Sequence, residues 1–389
     1  MNRLRKTRAR AGTLILVIGT TFTVVFGTQT AAATYDALQQ CVASKAAQNG
    51  FSGVIDVTRN DHPLVSIARG KLAGDESSAI TPDTRFNLGS ASKMFTAVAI
   101  GQLIDAGKLH LDDHVGAFVD GLQPETRAVT IRQLLTHSSG LGDFFKPENM
   151  AVMLRARTAS DLLPLIAREK PAFPPGSRFA YSNSGFVLLG IVLERVSGLS
   201  YGDYLAQHIL APAGMTRTGL DPKPLKTLAV GMTAMGREAT PGVAPTLSPA
   251  PGATEGYGSP AGGMFSTVGD LQRFARALLD HKLTSASTAA ALATPQIVSA
   301  PATADRPERQ YGYGFGVGID NGHRWFGHNG GTPGTNTEFA VFPDDRLTVS
   351  VLANRDPPMA TAMFAYVKRL LFDPSLVANC VAPSEKHVQ

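Results

Sequence analysis

Cysteine is almost missing from this chain. Its 389 residues include only Cys41 and Cys380, and there is no Cys-x-x-Cys and no His-Glu-x-x-His. The usual zinc-ligand spacings are therefore excluded, and neither a metal nor another cofactor is expected. Acid is missing from residues 1–33, which hold Arg3, Arg5, Lys6, Arg8 and Arg10. Subtracting those five from the 36 basic residues leaves 31 against 31 acidic ones, so the body of the chain has no net charge. A neutral body has no general attraction for nucleic acid or an anionic membrane. Internal repeats are also lacking. The composition, 43% hydrophobic and 17% charged, excludes disorder and collagen-like structure. The length exceeds what one compact core usually covers, so two lobes are expected.

The N-terminus reads as an export signal over residues 1–33. A basic stretch ends at Arg10, an apolar run extends from Leu14 to Phe26, and Ala31-Ala32-Ala33 suits cleavage. Export to the periplasm or the extracellular space is the expectation, with no membrane contact after cleavage. An uncleaved anchor is the competing reading. Its strongly apolar part is short for a spanning helix. In an oxidising compartment the two cysteines have two readings, a disulfide tying the mature termini or two unpaired buried thiols.

Periodicity predicts a helix over 35–49 and a hairpin from Phe51–Arg59 and Leu64–Arg69 around Asn60-Asp61-His62-Pro63. After Ser90, Met94, Ala97, Val98, Gly101 and Ile104 recur at amphipathic helical spacing, and Gly107 closes that helix. Short helices and Pro/Gly turns follow. Residues 235–263 read as a long loop, 270–279 as a helix and 295–310 as an irregular connector. Strand signals return at 311–319, 324–328, 337–342 and 347–353, before a last helix near 360–371. Consecutive strands on short turns predict an α+β fold with an antiparallel β-sheet flanked by helices and an inserted, mostly helical lobe. The expected division is a discontinuous α/β lobe of 34–110 and 296–389, with the helical lobe at 111–295.

Ser90-Ala91-Ser92-Lys93 is the single Ser-x-x-Lys of the chain. It puts an amine one helical turn from a hydroxyl at a strand-to-helix junction, and a desolvated amine can activate a serine. Tyr181-Ser182-Asn183 offers a phenol and an amide two residues apart, and an N-cap at Asn183 is the simpler alternative. His328-Asn329-Gly330-Gly331 ends a strand, where glycine lets a substrate approach the backbone. Gly198-Leu199-Ser200-Tyr201-Gly202 matches a nucleophile elbow, but a helix precedes it where that motif needs a strand. Ser200 with Asp203 instead reads as a helix cap. His137 likewise reads as part of a helix end.

Together these motifs resemble the penicillin-recognising serine hydrolases: class C β-lactamases, DD-peptidases and their esterase relatives. Phe86-Asn87-Leu88-Gly89-Ser90, Leu134-Leu135-Thr136-His137-Ser138-Ser139-Gly140-Leu141, Pro175-Gly176-Ser177 and Ala261-Gly262-Gly263 extend the likeness across about 51–372. The resemblance implies the β-lactamase/transpeptidase-like fold and an acyl-enzyme mechanism. By it, Ser90 is the nucleophile, and Lys93 and Tyr181 share acid/base work. Asn183, His328, Asn329 and Gly330 contact substrate, and the N–H groups of Ser90 and Gly331 form the oxyanion hole. No Glu-x-x-Leu-Asn supplies a class A deacylation glutamate.

The family fold also implies that the first and last helices pack together, which makes Cys41 and Cys380 neighbours. The expected substrate is a small ester, amide or D-amino-acid peptide. A class C-type β-lactamase, a D-alanyl-D-alanine carboxypeptidase and a non-catalytic penicillin-binding sensor are the alternatives. His328 and Asn329 stand where many relatives carry Lys and Thr. Substrates with a carboxylate are therefore expected to be poor, and any β-lactamase activity is expected to rise as pH falls toward the His328 pKa. The sequence leaves the oligomeric state and the natural substrate open.

Overall fold

The structure is a computed structural model that describes residues 26–73, 78–236, 246–303 and 307–381. Most of the segment read as an export signal lies outside these. Eight described strands form one antiparallel sheet. They are β1 (Gly53–Arg59), β2 (His62–Arg69), β3 (Ile297–Ala300), β4 (Arg309–Tyr311), β5 (Gly316–Asp320), β6 (His323–Thr332), β7 (Thr335–Phe342) and β8 (Leu347–Ala353). Their order is β2-β1-β8-β7-β6-β5-β4-β3, so the two ends of the chain meet where β1 pairs with β8.

Two tight hairpins set much of this register. Asn60 and Asp61 take φ of 49° and 66°, and Asn321 and Gly322 take 49° and 85°. Two consecutive left-handed residues twist the chain the way antiparallel strands twist, and Asn, Asp and Gly tolerate that conformation best. The first turn is shorter than expected, because His62 and Pro63 already belong to β2.

Both faces of the sheet are covered, so β8 is buried at every residue. Helices α1 (Phe26–Gln48), α5 (Met359–Phe372) and α6 (Pro374–Val381) cover one face. Val42, Ile55, Val349 and Met363 form the core there. Cys41 of α1 and Cys380 of α6 are joined by a disulfide, with Cα atoms 5.9 Å apart.

Against the other face lie α2 (Lys93–Asp105) and α4 (Val268–Leu279). Phe95 stacks on Phe274 at 4.4 Å within that core. Helix α3 (Asn183–Ser197) packs on α2 from the far side. Helix α2 is consequently buried at every residue from Lys93 to Gly101. The amphipathic helix expected here is a central one, with helices and sheet around it.

The strand expected over 311–319 is broken. A side chain at Gly312 would meet the Leu292 carbonyl at 2.3 Å, and Gly314 turns at φ 75° against Ala97. Strand β3 falls inside the stretch read as an irregular connector. Among the described residues, no single helix is long and apolar enough to cross a membrane.

Candidate active site

Ser90 sits in a tight 3-10 turn, Gly89–Ser92, between the short strand Phe86–Asn87 and α2. Three bonds hold this turn against residues 263–264. Leu88 N–H donates to Met264 O at 2.7 Å, Gly263 N–H to Gly89 O at 3.1 Å, and Met264 N–H to Ser92 Oγ at 3.0 Å. On the other side runs β6. A side chain at Gly330 would stand 2.0 Å from the Leu88 carbonyl and 3.0 Å from Ser90 N, and one at Gly89 would stand 3.0 Å from Gly331 N. The glycines let two backbones touch, and that contact brings the Ser90 and Gly331 amides together.

The first turn of α2 carries Lys93, which is fully buried. Its Nζ lies 3.3 Å from Ser90 Oγ and donates to Asn183 Oδ1 at 2.7 Å and to Ala261 O at 2.5 Å. Burial lowers its pKa to about 7, against a smaller opposing pull from Asp143. The amine also stands 4.7 Å over the ring of Tyr181 and 5.5 Å over that of Phe186.

Ser182 caps α3, its Oγ accepting from Gly185 N–H at 3.0 Å. The alternative of a cap at Asn183 is thereby corrected, because Asn183 is the first helical residue. Burial of the Tyr181 phenol pushes its pKa well above the usual value, against a smaller opposing effect of Ser90. The residue as a whole is 40% exposed, because it also lines the cleft.

His328, Asn329 and Gly330, expected as substrate contacts, lie on β6 just before Gly331 and Thr332, which line the cavity. Gly330 serves the backbone contact described above. Asn329 is exposed. His328 is buried, with Nδ1 2.6 Å from Asn329 O and Nε2 2.8 Å from the Tyr311 hydroxyl. A carbonyl accepts only, so the proton is on Nδ1, and the Tyr311 hydroxyl donates to Nε2. Burial, with repulsion from Lys93, lowers the His328 pKa to about 3. The ring is neutral at any ordinary pH, and the expected gain in β-lactam turnover toward acid has no basis.

A cavity of about 600 Å³ opens in front of Ser90, with Tyr181, Asn183 and Gly331 in its wall. Part of its wall is apolar, with Phe144, Phe145, Met153 and Leu162. Ser200 lines a separate cavity of about 540 Å³. There its Oγ donates to Asp203 Oδ2 at 2.7 Å and accepts from Asp203 N–H at 3.1 Å, as a helix cap does. Among the described residues, no group of His, Cys, Asp and Glu could hold a metal.

Several site groups had no role assigned from sequence. Ala261 lies in a motif of the resemblance, but its carbonyl was given no part in the chemistry. Asp143 takes a bond from Asn183 Nδ2 at 2.9 Å. Half-buried Glu169 holds the same loop through Gly142 N–H at 3.0 Å and Ser184 Oγ at 2.8 Å.

The family described as Beta-lactamase matches residues 38–372. Penicillin-binding protein 4 of Amycolatopsis lactamdurans is 29% identical over 323 residues, 80% of this chain and 82% of the relative. A penicillin binding protein structure from Bacillus halodurans superposes with a TM-score of 0.74 at 29% identity, covering 85% of this chain and 98% of the other. A D-stereospecific amidohydrolase from Streptomyces gives a TM-score of 0.67 at 25% identity, covering 87% and 99%.

Proposed function

We propose that this chain, which belongs to the beta-lactamase family and is a serine hydrolase, is exported and cleaves small esters and amides through an acyl-enzyme on Ser90. One observation carries the assignment: the Lys93 amine beside Ser90 has its donors occupied. A neutral amine has two N–H donors and one lone pair. Asn183 Oδ1 and Ala261 O take the donors. The lone pair is left for the Ser90 hydroxyl at 3.3 Å. With its pKa lowered to about 7, Lys93 is neutral often enough to act as the base.

Ser90 Oγ attacks the substrate carbonyl as its proton passes to Lys93 Nζ. The developing oxyanion faces the N–H groups of Ser90 and Gly331. Tyr181 keeps its proton at neutral pH and is suited to hand it to the leaving group, recovering one from Lys93. Water then releases the acyl group by the reverse path. Substrates of the amidohydrolase kind, with a scissile amide on a small acyl unit, suit a cavity of about 600 Å³. β-Lactams and D-alanyl-D-alanine peptides need a cation for their carboxylate. Lys93 is committed and His328 is neutral.

Fluorophosphonate labelling followed by mass spectrometry tests this reading. The adduct is expected on Ser90 and is expected to vanish in Ser90→Ala. Lys93→Ala and Tyr181→Phe are each expected to cost about two to four decades in rate. An adduct on Ser200, or cephalosporin turnover exceeding that of nitrophenyl esters, would overturn it.

A further inference from the structure

Two charged residues line the cavity in front of Ser90 among the described residues, Asp143 and Arg157. They are not equivalent. The Arg157 guanidinium donates to Leu154 O at 3.0 Å and Ala156 O at 2.8 Å and sits 5.3 Å over the Tyr257 ring. Arg157 and Tyr257 also line the second cavity, so they form the partition between the two. Its Nη1 hydrogens are taken by the wall, and the guanidinium has three more N–H donors.

Asp143 belongs to the catalytic groups instead. Its Oδ2 accepts from Asn183 Nδ2 at 2.9 Å, Asn183 Oδ1 accepts from Lys93 at 2.7 Å, and Lys93 lies 3.3 Å from Ser90. Its Oδ1 accepts from Phe145 N–H at 2.8 Å. A carboxylate has about four acceptor positions, so roughly two stay open, and the residue is exposed toward the cleft. The charge joined by hydrogen bonds to the Asn183–Lys93–Ser90 chain is therefore negative. The adjoining wall, with Phe144, Phe145, Met150 and Met153, is apolar.

We infer that Asp143 selects substrates with a protonated amine next to the scissile carbonyl, and that the apolar wall takes the neighbouring side chain. The substrate class is then esters and amides of amino acids with a free amino group and a large apolar side chain. The inference rests on the serine-hydrolase reading. A substrate carboxylate at the same place would face the Asp143 carboxylate, so the same residue disfavours N-terminally acidic acyl groups.

The test compares phenylalanine methyl ester, in both enantiomers, with its N-acetyl and N-succinyl derivatives. kcat/KM of the wild type is expected to favour the free amine over N-acetyl by about tenfold or more, as a charge-assisted hydrogen bond supplies, with N-succinyl poorest. Asp143→Asn is expected to remove most of that ratio. The ratio cancels any shared loss from a displaced Asn183. Asp143→Lys is expected to reverse the order toward N-succinyl. An unchanged ratio in Asp143→Asn overturns the inference and leaves the hydrolase reading standing. So does absence of turnover of all three esters by a protein that still forms the Ser90 fluorophosphonate adduct. Absence of both turnover and adduct overturns both.

Discussion

His137 lies against Tyr181, with ring centroids 4.2 Å apart and 33° between the planes. The backbone at His137 is left-handed, at φ 54°. Its Nδ1 accepts from Ser182 N–H at 3.1 Å, so the ring proton is on Nε2, which is buried without a partner. Burial, with repulsion from Lys93, lowers its pKa and keeps the ring neutral. The histidine is a platform that holds the phenol over Lys93. His137→Phe keeps a ring there and is expected to retain most of kcat. Both variants leave the Ser182 amide without its acceptor, and His137→Ala also removes the ring, at a cost of about 2–4 kcal/mol in stability. Its kcat is expected to fall more than its KM rises. Steady-state kinetics with thermal unfolding of both variants checks this.

Lys93 predicts a pH profile. Its amine must be neutral to take the Ser90 proton, so kcat/KM is expected to rise tenfold per pH unit below about 7 and level above it. A stability trend goes with it. The folded pKa is lowered, so the unfolded chain binds the extra proton between about 7 and the ordinary lysine value near 10.5. The burial penalty is full below pH 7 and fades as pH rises through that window. Lys93→Met is expected to be inactive. Its Tm relative to wild type is expected to be highest at pH 6 and to decline steadily toward pH 10. Thermal scans across that range decide it.

Gly330 and Gly331 are neighbours with opposite tolerance. An alanine methyl at 330 would be 2.0 Å from the Leu88 carbonyl and would push the Ser90 turn off β6. At 331 it would meet only Pro357 Cγ, at 3.1 Å. Gly330→Ala is expected to cost about 1–3 kcal/mol or more and to lose fluorophosphonate labelling. Gly331→Ala is expected to fold and label normally. Equal labelling of the two variants would contradict this account of the turn.

The disulfide closes a sequence separation of 339 residues. Cys41→Ser is expected to lower stability by about 3–5 kcal/mol in the chain-entropy view, with activity at low temperature intact. Urea unfolding of oxidised wild type and variant measures it. Alkylation under denaturing, non-reducing conditions should find no free thiol in the wild type.

The part of the site that the sequence exposed is the part encoded locally. Ser90 and Lys93 are one turn apart, and Tyr181 and Asn183 flank one cap, so their spacing already carries geometry. His328 was legible as a position but not as a chemical state. Its neutrality comes from burial and the nearby Lys93, and its tautomer from Asn329 O and from Tyr311, a partner 17 residues away that no motif marks. The Ala261 carbonyl reaches Lys93 across 168 residues, and Asp143 reaches Asn183 across 40. Such contacts exist only once the fold does. The same holds for the break in the strand expected over 311–319. A β-branched and aromatic run reads as continuous until Leu292 and Ala97 are seen pressed against its glycines.

The pairing of Gly53 with Ala353 places an order on events during synthesis. β1 leaves the ribosome early, and its partner strand is some 300 residues behind it. At about 5–20 residues per second, that is a wait of roughly 15–60 s. The middle of the sheet cannot assemble in that interval, because β8 does not yet exist to be paired. For most of that time the growing polypeptide has only the β1–β2 hairpin as sheet, and a lone hairpin is marginal in water; β3–β7 come late and still lack the strand that joins them to it. The two parts of the sheet therefore become one body only when β8 is inserted between β1 and β7. A chain cut short before residue 347 should fail to form a stable smaller body, and so should be cleared by proteases.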